Sequence, residues 1–324
     1  MLNRRKALIS GVGALLLASR ALAQQSDTKR PRLGFLSVSG RNFPAYETFV
    51  QALKDVGYVD GQNIHLEARF AERHVDRLPG LTAELLALKV DILAVVGAVT
   101  MRAVRAATQS TPTVFSVVVD PVANGLVADA NRPGGHATGT TNFDPGQAPA
   151  QFRLLKQIRP SLSRIAILGD AGVPDLLDRA NAAAAEAEGM QPIMVRLRGP
   201  NENIEAVFES LVGQRAEAVI GLEVPAVGVH AKKIAALAVN SRMLLMLSSD
   251  SAEHGPMIAY GSSFLDAIQR MAGQVDRILK GAHPGDLPIE VVTRHRLVIN
   301  QRVAREIGIS VPSTVLARAD RLVD

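Results

Sequence analysis

Continuous apolar runs recur along the chain, each ending on a small or acidic residue, and amphipathic stretches separate them. Arg32–Leu36, Asp91–Val96 and Thr113–Val119 are such runs in the first half; Arg164–Leu168, Ala218–Leu222 and Met243–Leu247 are their counterparts in the second. A short aliphatic or β-branched run without alternation reads as a strand buried on both faces of a parallel sheet. Asn63–Phe70 and Pro192–Leu197 read as further strands. Between them, Phe43, Tyr46, Phe49, Val50, Leu53 and Val56 fall at helical spacing and stop at Gly57. Helices are also predicted over Leu78–Leu88, Thr100–Gln109, Phe152–Gln157, Ala180–Ala187, Ile204–Val212 and Ile234–Ser241. Strand–helix alternation of this kind builds a parallel sheet with helices on both faces. The rhythm runs through twice, so the pattern predicts an α/β chain of two Rossmann-like lobes with parallel sheets, joined by a multi-strand hinge.

The tail supplies the hinge. Met257–Gly261 reads as strand and turn, Phe264–Leu279 as an amphipathic helix, Gly281–Pro288 as a linker, Ile289–Ile299 as extended and Ala304–Ile307 as helical. These pieces are too few for a core of their own and must pack on the two lobes, which requires several chain crossings. The expected division is an N-terminal lobe of residues 32–142 with about 262–288 and a C-terminal lobe of 143–261 with about 289–324.

Composition changes the picture mainly at the start of the chain. Arg4-Arg5-Lys6, the apolar run Ala7–Ala18 and the small-residue site Ala21-Leu22-Ala23 form a secretory signal-peptide pattern over residues 1–23, followed by a polar leader over 24–31. The apolar segment is short for a membrane anchor. The export route, general secretory or twin-arginine, stays open. Of 36 basic residues, Arg4, Arg5, Lys6 and Arg20 lie in that segment, which holds no acid; the remaining 32 face 31 acidic residues, a formal +1. The apparent basicity thus belongs to the signal, and nothing asks for nucleic acid or an anionic membrane. There is no cysteine, which removes disulfides, thiol catalysis and a lipid-anchored cysteine. The expectation is a monomer free in the periplasm.

Ligands of open α/β sheets bind outside the carboxyl ends of the strands. The residues there are Ser37 and Ser39, Gly97 with Thr100, and Asp120 in the first lobe, then Asp170, Glu223, and Ser248 with Asp250 in the second. If the lobes face each other, these groups converge on one cleft. Backbone N–H groups at helix N-termini near Ser39 and Thr100 would suit a carboxylate, and Asp120, Asp170, Glu223 or Asp250 an ammonium or hydroxyls. Tyr260 could stack on a ligand or simply pack. Each Ser, Thr or Asp could equally be a helix cap. The chain holds no G-x-S-x-G, P-loop or H-E-x-x-H, and its seven histidines show no metal-ligand spacing. The reading is therefore a binding protein, not an enzyme, with no metal and no cofactor.

A further group of residues carries a family resemblance. Gly57-Tyr58-Val59-Asp60-Gly61-Gln62-Asn63-Ile64, Asp120-Pro121 through Val127, and Arg132-Pro133-Gly134-Gly135 through Gly139 belong to it. So do Tyr260-Gly261, Ile278–Ala282 with Asp286-Leu287-Pro288, Leu297–Asn300 and Pro312 through Asp320. In this order they resemble the ABC-transporter substrate-binding proteins of the tryptophan/tyrosine-binding-like group. The resemblance implies a type I periplasmic binding-protein fold that closes on a small ligand, an amino acid or related carboxylate, which an ABC permease in the inner membrane then imports. His136, Val99-Thr100 and Ser248-Ser249-Asp250 depart from the family pattern in loops that would line the cleft, so ligand identity does not carry over. Sugar binding is disfavoured because the chain has no Trp. The alternative is a periplasmic sensor that presents its closed form to a membrane signalling receptor. A two-lobed repressor would need a DNA-binding motif where the signal peptide lies.

Overall fold

The computed structural model describes residues 30–324; the signal-peptide and most of the leader readings fall outside the described residues. The first sheet has the order β11-β5-β4-β3-β1-β2. Its strands are β1 (Arg32–Ser37), β2 (His65–Phe70), β3 (Ile92–Val96), β4 (Thr113–Val117), β5 (Ala137–Thr141) and β11 (Glu290–Val291). All its pairings are parallel. Helix α1 (Ala45–Asp55) covers one face, and α2 (Leu78–Ala87) and α3 (Ala98–Ala107) the other. Phe35, Phe49 and Val114 pack in one core layer, Leu85, Leu93 and Phe115 in the opposite one. That two-sided burial explains why β1, β3 and β4 read as unbroken apolar runs.

The second sheet has the order β13-β12-β10-β9-β8-β6-β7. Its elements in chain order are α4 (Gln147–Ile158), β6 (Arg164–Asp170), α5 (Leu176–Ala187), β7 (Gln191–Leu197), α6 (Ile204–Gly213), β8 (Ala218–Gly221), α7 (Pro225–Asn240), β9 (Leu244–Leu247) and β10 (Ile258–Ser262). After the excursion to the first lobe come β12 (His295–Asn300), α9 (Gln301–Glu306), α10 (Ser313–Leu316) and β13 (Arg321–Val323). One core cluster, from Phe152 to Val315, fills both faces.

The lobes are joined by three crossings: β5 to α4, β10 to α8 (Phe264–Leu279), and β11 to β12. Helix α8 starts where the Ser263 hydroxyl accepts from Asp266 N at 3.1 Å, an N-cap. It buries Ala267, Ile268, Met271 and Val275 against the first lobe. Among the described residues no helix is long and apolar enough to cross a membrane.

The structure departs from the pattern reading in several places, and α4, α5 and α7 start at Gln147, Leu176 and Pro225, ahead of the predicted Phe152, Ala180 and Ile234. The strand predicted over Thr113–Val119 ends at Val117, and α3 begins at Ala98, before the predicted Thr100. Gly97, at φ 97°, makes the sharp exit from β3 that no side chain would favour, so the helix follows at once. Ala137–Thr141, which is not among the predicted strands, is a largely buried strand. Its hydroxyls are satisfied within the lobe, Thr138 donating to Leu287 O at 2.7 Å and Thr140 to Ala267 O at 2.9 Å. The extended Ile289–Ile299 segment splits: Glu290–Val291 pairs with β5, so the chain leaves the first sheet after Val291. His295–Asn300 joins the second sheet, antiparallel to β10.

Candidate functional site

At the hinge, between the carboxyl ends of the two sheets, lies a cavity of about 150 Å³. Val118, one step past β4, closes it from the first lobe. The first crossing contributes Asn142, Phe143 and Asp144; Gln147 and Gln151 come from α4, Leu177 and Asn181 from α5, and Leu222, Glu223 and Ser248 from the ends of β8 and β9. Of the predicted residues, then, Glu223 and Ser248 line the cavity.

The others serve the loops around it. The Ser37 hydroxyl accepts from Ser39 N at 3.1 Å and shapes the turn out of β1. Ser39 lies well ahead of Ala45, where α1 starts with Pro44 at its N-cap, so it offers no helix N-terminus to a carboxylate. Thr100 does sit in the first turn of α3 behind Gly97, and its fully buried hydroxyl has no hydrogen-bond partner; the Ser116 hydroxyl on β4 is in the same condition. Asp120 Oδ1 accepts from Val122 N at 2.9 Å and Ala123 N at 3.0 Å, which makes it a turn cap outside the cavity. Asp170 accepts from Gly172 N and, with its other oxygen, from Ala226 N at 2.8 Å, capping α7. Asp250 holds the start of α8 through the Ser263 hydroxyl (2.6 Å) and Leu265 N (3.1 Å). The Tyr260 hydroxyl meets His295 Nδ1 at 2.9 Å, and burial raises its pKa.

The crossings are fastened to one another. Ser262 N donates to Gln147 Oε1 at 2.9 Å, and the Ser262 hydroxyl donates to the Asn142 carbonyl at 2.7 Å. His295 Nε2 stands 2.9 Å from Asp144 Oδ2, so Tyr260, His295 and Asp144 link all three crossings. Arg296 forks onto Asp266 at 2.8 and 2.9 Å beside them.

The cavity wall is rich in acceptors. Asn142 Nδ2 donates to Glu223 Oε2 at 2.8 Å and to Ser262 O at 3.4 Å, and Asn181 Nδ2 to Leu177 O at 2.9 Å. Because carbonyl oxygens only accept, both amides are fixed in orientation, and each leaves a buried Oδ1 with no partner. Two carboxylates, Asp144 and Glu223, share the wall with them, and no Lys, Arg or His lines it. Burial pushes Glu223 up from 4.5 to about 8, and the nearby Asp250 charge pushes the same way; Asn142 and the Phe264 N–H pull it down without overcoming either. The wall thus asks for hydrogen-bond donors. An ammonium, amide or hydroxyl placed there would find acceptors among these residues.

Asn142, Asp144 and Asn181 escaped the sequence reading. One signal was present for Asn181, which interrupts the Ala-rich run Ala180–Ala185, where an amide competes with the helix. Among the described residues no group of three or more His, Cys, Asp or Glu is placed to hold a metal ion.

Two α/β lobes, three crossings and a polar cavity at the hinge define a type I periplasmic binding-protein fold. The sequence model of the family described as "ABC transporter substrate binding protein" matches residues 37–323. The chain belongs to that family. It is similar to the tyrosine-binding protein of Clostridioides difficile (strain R20291), at 23% identity over 269 residues covering 79% of this chain and 74% of that one. Among solved structures, it superposes on an ABC domain from Streptococcus pneumonia in complex with L-Trp with a TM-score of 0.81 at 22% identity, covering 91% of this chain and all of that one. A conserved domain protein from Vibrio cholerae gives a TM-score of 0.82 at 22% identity with the same coverage. Family and fold are those of solute-binding proteins, not of enzymes.

Proposed function

We propose that the protein is the periplasmic solute-binding component of an ABC importer. It captures a small organic ligand, an amino acid or related carboxylate with aromatic amino acids among the candidates, by closing its lobes about the hinge. The ligand-loaded monomer then docks on the permease in the inner membrane. The lobes that close are the N-terminal segment through 142 with 262–291, and the remainder of the described chain. The observation that carries this reading is the hinge cavity walled by Glu223, Asp144 and the two unpartnered amide oxygens of Asn142 and Asn181. A ligand amine finds acceptors in this wall, and the Ser248 hydroxyl lies beside them. The α3 N-terminus at Gly97 and Thr100, with its unpartnered hydroxyl, suits the carboxylate of the same ligand. The size of the cavity agrees, since about 150 Å³ holds a benzene ring. The relatives named for tyrosine and solved with L-Trp support the amino-acid class.

A thermal-shift panel of the proteinogenic amino acids and small carboxylates on the protein from residue 24 onward tests this. A stabilising ligand raises Tm in proportion to the logarithm of its concentration over Kd. If no member of the panel moves Tm at millimolar concentration, the amino-acid reading is wrong.

A further inference from the structure

One lobe-to-lobe contact lies away from the hinge. After β2 the chain turns back through Ala71–His74, and two consecutive residues there, Glu72 and Arg73, have left-handed backbones at φ 50° and 69°. Neither is glycine. Such conformations persist only where their surroundings over-determine them, and they gather at ligand clamps and switches. The turn is fixed on the first lobe by Ala71 N donating to Ser37 O (2.9 Å), Arg73 N to Val38 O (2.7 Å) and Arg41 N to Glu72 Oε1 (3.3 Å). These bonds tie it to the loop leaving β1, at the carboxyl end of the sheet.

The strained turn carries the Arg73 side chain across the cleft. Its Nη2 donates to the carbonyl of Pro225 in the first turn of α7, at 2.7 Å. Asp170 caps that helix through Ala226 N, and its charge favours the charged guanidinium against the loss of water around it. Among the described residues, every other hydrogen bond or ion pair between the lobes lies at or beside the three crossings. Rotation of the lobes about those crossings would leave the hinge bonds in place and part Arg73 from Pro225.

We propose that Arg73 is a closure clasp, a first-lobe side chain that fastens onto the Pro225 carbonyl in the α7 N-terminal turn of the second lobe and so sets how much of the protein has its cleft closed. The proposal rests on the reading that the lobes close on a solute. It makes Arg73 a positioning residue: ligand affinity scales with the closed fraction that the clasp maintains, without the guanidinium touching ligand.

The test needs no ligand. The chain lacks cysteine, so nitroxide labels at Glu47→Cys on α1 and Lys232→Cys on α7, both exposed sites, report the interlobe distance without background. Pulsed electron-resonance distance distributions are recorded on the protein from residue 24 onward with nothing added. Arg73→Ala is expected to lower the closed-to-open ratio about tenfold, the lower end for losing a charge-assisted hydrogen bond at a partly exposed site. Arg73→Gly, which tolerates the left-handed backbone, should do the same, and this separates loss of the guanidinium from any collapse of the turn. Arg73→Lys should recover part of the closed population. Distributions for Arg73→Ala and Arg73→Gly that match the labelled parent overturn the clasp. Because no solute is added, that result leaves solute capture standing, while a silent thermal-shift panel counts against capture and leaves the distance measurement intact.

Discussion

Replacing Glu223 by Gln should change the pH dependence of stability more than its magnitude at acid pH. In the folded protein burial lifts this carboxyl from 4.5 to about 8, with Asp250 adding to the effect. A carboxyl whose pKa is raised on folding leaves stability intact below 4.5, where both states are protonated. Between 4.5 and about 8 the unfolded chain has lost the proton that the folded one keeps, so stability falls as pH rises; above 8 both are ionised and the loss is complete. Each pH unit is worth about 1.4 kcal/mol, so the window carries on the order of 4–5 kcal/mol. Gln is isosteric and keeps an acceptor for Asn142 Nδ2. Urea unfolding of both proteins at half-unit steps from pH 4.5 to 8.5 measures the difference. The variant should match the parent near pH 4.5 and gain steadily to about 4 kcal/mol near pH 8. A difference between them that stays constant across the range refutes the argument that Glu223 is neutral in the folded protein.

Other substitutions separate structural from ligand roles. Asp120→Ala removes the cap of the 120–123 turn and should cost about 1 kcal/mol in urea unfolding, with the affinity for any thermal-shift hit unchanged. Asn181→Leu removes an unpartnered buried amide oxygen, so it should hold or raise Tm while weakening that ligand at least tenfold, read by calorimetry. Gly139→Ala places a methyl group 2.2 Å from the Phe115 carbonyl, where β4 and β5 pair, and should lower stability by about 1–3 kcal/mol.

The sequence disclosed the strands that the fold buries on both sides. β1, β3, β4, β6, β8 and β9 are continuous apolar runs because helices cover both faces of each sheet. β5 was hidden, since Ala-Thr-Gly-Thr-Thr looks polar until Leu287 and Ala267 supply carbonyls for its hydroxyls. Both partners come from segments that follow β5 by more than a hundred residues, and no local pattern encodes that pairing. The site divided in the same way. Strand ends pointed to Glu223 and Ser248, because topology puts ligands there whatever the sequence between. Asp120, Asp170 and Asp250 share that address but each accepts from backbone N–H groups of a turn or helix start, Asp250 from the Ser263 hydroxyl as well, and the chemistry of a cap and of a ligand contact is the same in one dimension. Asn142 and Asp144 matter because the chain crosses between lobes at that point, a fact of tertiary arrangement.

On the proposed function, a small solute with donor groups is held at the hinge by Asn142, Asn181, Glu223 and Asp144. A crystal structure of the protein purified without unfolding, or soaked with a thermal-shift hit, tests it most directly. The account predicts density in the hinge cavity with an amine or other donor about 3 Å from Asn142 Oδ1 and Asn181 Oδ1. A saturating ligand seated elsewhere, with those two oxygens still unpartnered, would contradict it.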